Sequence, residues 1–212
     1  MTALSVTMEQ IFNQIPLLES AAHLDDDHLR RIGNVFINHN QHNNWGICRV
    51  HRHHDLNPDE IMVHKLQPGE TVDICKVENI SRMAELHPHS WHFSPADELI
   101  PYEYSLDVMP NLSEEFKRDL YSQLRTTGLL PQVSLIPIEQ TFEENDQKWL
   151  EFVNNADRTM ISISTSRLLI DPGFETVGWR FRPGIDGEVE VIVLKECRKH
   201  PQTGVHHTLY EV

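Results

Sequence analysis

The histidines His51 and His53 are the residues whose type and spacing best fit metal or acid–base chemistry. Side chains two residues apart in a β-strand point to the same face, so these imidazoles could meet one metal ion or one substrate. Neutral imidazole is the commonest protein ligand for zinc, iron and copper. Without a metal, one imidazole could still act as a general base near neutral pH. We therefore predict that His51 and His53 are metal ligands and catalytic residues.

A carboxylate or a further histidine would complete this site. We predict Glu60 or His207 as the third ligand, because two histidines and a carboxylate leave open positions for oxygen, water or substrate. These residue types do not discriminate between iron, zinc and copper as the divalent ion. The alternative is that both histidines line a polar sheet face or make hydrogen bonds in the core.

A second cluster of metal-binding residue types begins at Cys197 and continues with three histidines up to His207. Thiolate and imidazole are the donors that zinc prefers, and a closed zinc site needs four ligands. Cys48 or His51 could supply a missing ligand from elsewhere in the sheet. The competing interpretation is a hairpin turn with solvated histidines.

The segment 85–93 contains three histidines and two aromatic residues. Loops held on a rigid sheet often carry binding groups, so we expect Trp91 and His92 to contact a small-molecule substrate. Tyr104, in the next predicted strand, is a further candidate catalytic residue. The alternative is a surface loop whose Trp91 fills part of the core.

The charge balance limits the expected partners. The 212 residues include 18 Lys and Arg against 32 Asp and Glu, which gives a formal net charge of -14. An acidic surface repels phosphate, so we expect neither nucleic acid nor a membrane as a partner. The sequence has no glycine-rich dinucleotide motif, phosphate loop or Gly-x-Ser-x-Gly turn. The acidic balance is compatible with cationic ligands or simply with solubility, and the metal-enzyme hypothesis implies a small-molecule substrate.

The cysteines indicate a reducing compartment. Cys48, Cys75 and Cys197 are too few and too scattered for a disulfide framework, and their odd number fits reduced thiols. The first residues lack a signal-peptide pattern, and no apolar run approaches the about 18 residues of a membrane-spanning helix. We therefore expect a cytoplasmic protein.

Helix-capping residues and hydrophobic spacing predict the secondary structure. Four helices are predicted to begin after Thr7, Asp25, Ser113 and Thr141. Strands are predicted at 45–53, 60–66, 71–77, 100–106, 133–138, 159–165, 175–182, 188–197 and 205–211, and the segment 79–99 has no regular pattern. Because helices and strands do not strictly alternate, the expected fold class is α+β, a mostly antiparallel sheet packed by several helices. We expect one domain over 1–212, with a helical segment at 1–42 and a sheet-rich body at 45–212.

Three short motifs resemble a group of proteins, mostly from filamentous fungi, that has no assigned activity. The motifs run from Val50 to His53, from Trp91 to Phe93 and from Pro101 to Tyr104. The fungal group pairs a Leu-Leu-His-Arg-His strand with a Trp-x-Phe segment and a Pro-Tyr-Glu-Phe strand. The likeness covers roughly residues 45–140, and Arg49 with Val50 replaces the apolar pair. The resemblance implies that the chain is one unit and implies nothing about mechanism.

A second resemblance is to the cupin family. The residues Gly46, His51, His53, Glu60 and Gly69 follow an order similar to the first cupin motif. The residues Pro201, Gly204 and His207 are loosely similar to the second cupin motif. The resemblance implies a metal site inside a small β-barrel, completed by His207. The chain departs from the cupin pattern in the longer gap before Glu60, in Glu211 where asparagine is expected, and in the helices predicted between the two motifs.

Two functions are consistent with these patterns. The first is a metal-dependent enzyme that acts on a small molecule, with His51 and His53 holding the ion. The second is a non-catalytic binding or interaction module whose histidines serve polar packing or a pH response. Elemental analysis of the protein, repeated on His51→Ala and His53→Ala, would discriminate between them.

Overall fold

A computed structural model describes residues 7–21, 23–65, 71–94, 98–138, 147–166 and 173–198. Within these ranges, ten strands form a closed barrel. The strands are β1 (Trp45–Arg49), β2 (Glu60–His64), β3 (Val72–Asn79), β4 (His87–Phe93), β5 (Leu99–Ser105), β6 (Val133–Pro137), β7 (Gln147–Asn154), β8 (Thr159–Ser166), β9 (Phe174–Pro183) and β10 (Val189–Arg198). The α-helices are α1 (Met8–Asn13), α2 (Asp26–Asn38) and α3 (Glu114–Thr126), and short 3-10 segments lie at Leu18–Ser20, Ile80–Glu85 and Leu130–Gln132.

The strand order around the barrel differs from the order along the chain. It runs β1, β6, β4, β5, β2, β3, β8, β7, β10 and β9, and β9 closes onto β1. Neighbouring strands are antiparallel except for the parallel pairs β2–β5 and β7–β10. In the closing pair, Ile47 lies opposite Trp179 and Cys48 opposite Gly178. Closure pairs every strand on both sides and gives the sheet an inner and an outer face.

The expected α+β fold is wrong, because the sheet closes on itself and the molecule is mostly β. One cause is the helix predicted after Thr141. Residues 141–146 lie outside the described ranges, and the rest of that segment is strand β7. Trp149, Phe152 and Val153 fit a helical spacing, yet burial largely alternates along β7 as in a strand. A short apolar run fits both periods, so these residues alone could not distinguish them.

A second cause is the segment 79–99, for which the sequence predicted no regular structure. It contains a 3-10 segment and the whole of β4. Polar residues such as His89 and Ser90 are buried in this strand, where they line an internal cavity. The usual alternation of apolar and polar residues is therefore weak in β4, although this strand pairs with β5 on one side and β6 on the other.

Helices α2 and α3 begin where the sequence predicts. Asp25 accepts a hydrogen bond of 2.8 Å from the backbone amide of His28, and Ser113 accepts one of 3.2 Å from that of Phe116. These caps satisfy amides that have no partner within the helix. Among the helices in the described ranges, none has the length and apolar character needed to cross a membrane.

The main apolar core lies between the helices and the outer face of the barrel. Phe36 of α2 packs against Phe116 of α3 and Phe181 of β9, with both ring centroids 5.1 Å away. Trp45 and Ile47 of β1 belong to this core, whereas Cys48 lines the internal cavity. Because the helices cover apolar side chains on the outside, the barrel interior can hold polar ones.

Candidate metal site

His51 and His53 lie in the segment that leaves β1, and both line the internal cavity. This segment is not a strand: β1 ends at Arg49, and the amide of Arg52 donates to the carbonyl of Pro16 at 2.9 Å. The two imidazole rings are perpendicular, with centroids 4.9 Å apart. Their side chains are only 5% and 2% exposed. The structure therefore brings the two histidines together in one buried space.

Strands β7 and β10 supply two further donors. The two strands run parallel, with Glu151 beside Cys197 in register. These two residues and the two histidines form a group, here called the first donor group, whose four ligand atoms all lie within 4.8 Å of one another. The sequence offered two interpretations of the Cys197 segment, a hairpin turn with solvated histidines and a zinc cluster whose missing ligand would be Cys48 or His51. It missed Glu151, whose segment was predicted as a helix.

The distances within the first donor group resemble those of a metal site. Oε1 of Glu151 lies 2.9 Å from Nε2 of His53, 3.3 Å from Sγ of Cys197 and 3.6 Å from Nε2 of His51. Sγ of Cys197 is 3.7 Å from Nε2 of His53. Ligands at about 2.0–2.3 Å from a tetrahedral zinc ion are about 3.3–3.7 Å from one another. These four separations therefore lie within about half an ångström of the tetrahedral values, and the two remaining pairs of ligand atoms lie within 4.8 Å.

Neighbouring groups hold the donors in orientation. Nδ1 of His51 donates to the carbonyl of Arg49 at 2.7 Å, which leaves Nε2 of this ring to face the group. Lys195 forms an ion pair with Oε2 of Glu151, which leaves Oε1 for the histidines and the thiol. Metal-binding histidines and carboxylates are commonly fixed by such outer hydrogen bonds.

The pKa values in the first donor group reflect burial opposed by close partners. Burial would raise the pKa of Glu151, but the charge of Lys195 and hydrogen bonds from the two histidines hold it well below its usual range. Burial would lower the pKa of His51, but hydrogen bonds with Cys197, Cys48 and Glu151 raise it well above its ordinary value. Burial raises the pKa of Cys197 to about 12. A metal ion would therefore have to replace the protons on the thiol and on this imidazole.

The first donor group borders a small cavity inside the barrel. The cavity has a volume of about 50 Å³, and its other walls include His64, Asp73, His89 and Glu103. A volume of this size holds an ion and a few water molecules. Pockets for drug-sized ligands are larger, about 300–1,000 Å³. Any molecule that enters while the barrel stays closed must therefore be very small.

Glu60 lies apart from the first donor group. Arg158 donates to both of its carboxylate oxygens, at 3.0 and 2.6 Å, and the backbone amide of Asn57 donates to it at 2.6 Å. His207, the other predicted third ligand, lies outside the described ranges. The carboxylate that the structure places beside His51 and His53 is instead Glu151.

The other predicted site residues also lie elsewhere. Trp91 packs edge-on against Trp45 with ring centroids 5.0 Å apart, beside the outer apolar core. Tyr104 is buried in a separate apolar cluster, and its hydroxyl donates to Sδ of Met8 at 3.2 Å. His92 is half-buried, with its ring 6.0 Å from that of Tyr102.

No family model matches the chain, and neither the curated proteins nor the solved structures include a match. The resemblances to the fungal group and to the cupins therefore stay predictions. The geometry of the barrel interior is therefore the basis for assigning a function.

Proposed function

We propose that this protein is a metal-dependent enzyme that acts on a small molecule. A divalent ion would be held by His51, His53, Glu151 and Cys197. The observation that carries the proposal is the convergence of two imidazoles, a carboxylate and a thiol within 4.8 Å in a buried space. A mixed nitrogen, sulfur and oxygen donor set is typical of zinc, although iron and copper also accept imidazole.

The internal cavity supports the enzymatic part of the proposal. When bound, such an ion supplies Lewis-acid chemistry, either activating water or polarising a carbonyl group. Lys195 would keep Glu151 ionised, and the enclosing walls would exclude bulk water from the reacting groups. The cavity volume limits the substrate to a few heavy atoms, or requires the barrel to open.

A non-catalytic role is the second candidate, and one specific observation favours it. Four protein donors fill a tetrahedral coordination sphere, as they do in structural zinc sites. In this version, the ion or the buried histidines would stabilise the barrel and carry out no reaction. Absorption spectra of Co²⁺-loaded Cys75→Ser protein, in which these four donors are intact, separate the two roles, because an exogenous ligand such as azide changes the spectrum only where a coordination position is open.

The free cysteines agree with a cytoplasmic location, which is part of this proposal. Cys48, Cys75 and Cys197 are all free thiols and all buried. Free thiols persist in reducing compartments, and thiolate metal ligands are stable there.

Elemental analysis tests the proposal directly. We expect the purified native protein to contain stoichiometric metal, and we expect Cys197→Ser and His53→Ala to lose affinity for the ion at least about 100-fold. Circular dichroism would verify that each variant is folded. His39→Ala is the matched control, since His39 pairs with Asp119 at 3.0 Å and belongs to no donor group.

Two outcomes would contradict the proposal. One is a folded native protein that binds no zinc, iron or copper even after these ions are supplied. The other is a folded Cys197→Ser or His53→Ala variant with the affinity of the native protein. The metal found in the purified native protein before any ion is added would identify the resident ion, since added Cu²⁺ displaces weaker-binding ions from such sites.

A further inference from the structure

A second group of donors lies on strands β2, β3 and β5, and two of its three members line the same cavity. His64 of β2 lies opposite Cys75 of β3, and β5 brings Glu103 alongside β2. The ligand atoms of these three residues lie within 4.8 Å of one another. We call them the second donor group. It has no residue in common with the first.

His64 is held as metal-binding histidines are commonly held. Its Nδ1 hydrogen-bonds with Oδ2 of Asp73 at 2.6 Å, and its Nε2 lies 3.2 Å from Oε2 of Glu103. The ring of His89 stacks on it, with centroids 3.9 Å apart and an angle of 18° between the planes. A carboxylate that fixes one ring nitrogen while the other faces a ligand group is a recurrent outer-sphere arrangement.

Asp73 provides an independent sign that a ligand belongs here. This residue is 8% exposed and lines the cavity. Its Oδ2 is bonded to His64, but its Oδ1 is buried without a hydrogen-bond partner within the described part of the chain. A buried carboxylate oxygen without a partner is costly, and a bound cation or a water molecule on that cation would satisfy it.

We propose that His64, Cys75 and Glu103 bind a second divalent metal ion, with Asp73 as the residue that orients His64. This site differs from the first in the number of protein ligands. Three ligands of imidazole, thiolate and carboxylate type leave a fourth tetrahedral position open, as in catalytic zinc sites. His64 and Glu103 both line the cavity, so the open position faces the space that a water molecule or a small substrate can enter.

This inference goes beyond the proposed function and stands whether or not the first donor group holds an ion. The competing interpretation is a metal-free charge cluster, in which a protonated His64 forms ion pairs with Asp73 and Glu103. That cluster would bind no ion and would respond to no exogenous ligand. The two interpretations therefore differ in a measurable stoichiometry.

The test is a titration of the full-length metal-free protein with Zn²⁺ and with Co²⁺. We expect two equivalents for the native chain, one for Cys75→Ser, one for Cys197→Ser and none for the double variant, measured by elemental analysis after desalting. His39→Ala is the matched control, because His39 pairs with Asp119 at 3.0 Å and belongs to neither donor group. It should retain two equivalents. Glu103→Gln, nearly isosteric, replaces Cys75→Ser if the serine variant does not fold.

Azide binding tests separately whether the ion in the second donor group has an open coordination position. In Cys197→Ser loaded with Co²⁺, the remaining ion should sit in the second donor group, and azide should change its visible spectrum. The proposal is overturned if Cys75→Ser and Glu103→Gln bind as much metal as the native chain, or if azide has no effect. Failure of the first site gives a different pattern, in which Cys197→Ser retains the native stoichiometry while Cys75→Ser loses an equivalent.

Discussion

Glu60 and Glu151 each pair with a basic side chain, but the two pairings differ in whether a carboxylate oxygen remains for a metal ion. Arg158 engages both oxygens of Glu60, so neither is directed towards a metal. Lys195 engages Oε2 of Glu151, and Oε1 remains directed at His53 and Cys197. At the scale of single residues, this difference explains why a carboxylate near in sequence is a salt-bridge partner and a distant one is the candidate ligand.

Glu60 should contribute to stability and not to metal binding. We expect Glu60→Gln to lower the free energy of unfolding by about 1 kcal/mol at neutral pH. Hydrogen bonds from Arg158 lower the pKa of Glu60 from 4.5 to about 2. A lowered carboxyl pKa stabilises the fold at pH values above 4.5, and this stabilisation is lost as pH falls towards 2. Urea unfolding at pH 7 and about pH 3 should therefore show the difference between variant and native protein shrinking in acid.

Glu78→Gln is a suitable comparison for this experiment. The hydrogen bond from Lys65 is the main cause that lowers the pKa of Glu78 to about 2, so its variant should show the same pH pattern. Both variants should keep the native metal content. A folded Glu60→Gln protein that loses metal would place Glu60 in the ligand set, as the sequence predicts.

At the scale of elements, the sequence predicted the helix starts that are determined by nearby capping residues. The caps at Asp25 and Ser113 correctly placed α2 and α3. Strand β4 was missed because buried polar residues disturb the alternation that normally marks a strand, and β7 was missed because its apolar spacing also fits a helix. The candidate site was only partly predictable for a related reason. His53 and Glu151 are 98 residues apart, and only the barrel order brings them together.

Gly33 controls how closely α2 approaches the barrel. A Cβ atom at this position would lie 2.6 Å from side-chain atoms of both Phe181 and Val189. Alanine normally stabilises a helix by about 1 kcal/mol relative to glycine, but overpacking in a core costs about 1–3 kcal/mol. We expect Gly33→Ala to destabilise the protein by about 1 kcal/mol in chemical unfolding. Asn34→Ala, at the exposed neighbouring position, should change stability by only a few tenths. A Gly33→Ala protein more stable than the native one would contradict this packing.

At the scale of the whole molecule, closure of the barrel should make the thiols unreactive. Burial raises the pKa of Cys75 and of Cys197 to about 12, which leaves about 1000-fold less thiolate than at the ordinary value. We expect a disulfide reagent to modify the folded, metal-free protein at least about 100-fold more slowly than a reference thiol introduced by Ile185→Cys on the exposed surface. In denaturant, all three native cysteines should react at the reference rate. Fast modification of the native chain would mean that the barrel opens readily.

The distance along the chain between His53 and Cys197, 144 residues, also determines when an ion can be captured. A growing polypeptide exposes both imidazoles of the first donor group long before the ribosome has made the thiol. At that stage the ion would have only two ligands, His51 and His53, and such a bidentate site binds weakly. Tight binding requires Cys197 and therefore the pairing of β10 with β7. The ion would thus stabilise the barrel after it has folded and would not direct its folding.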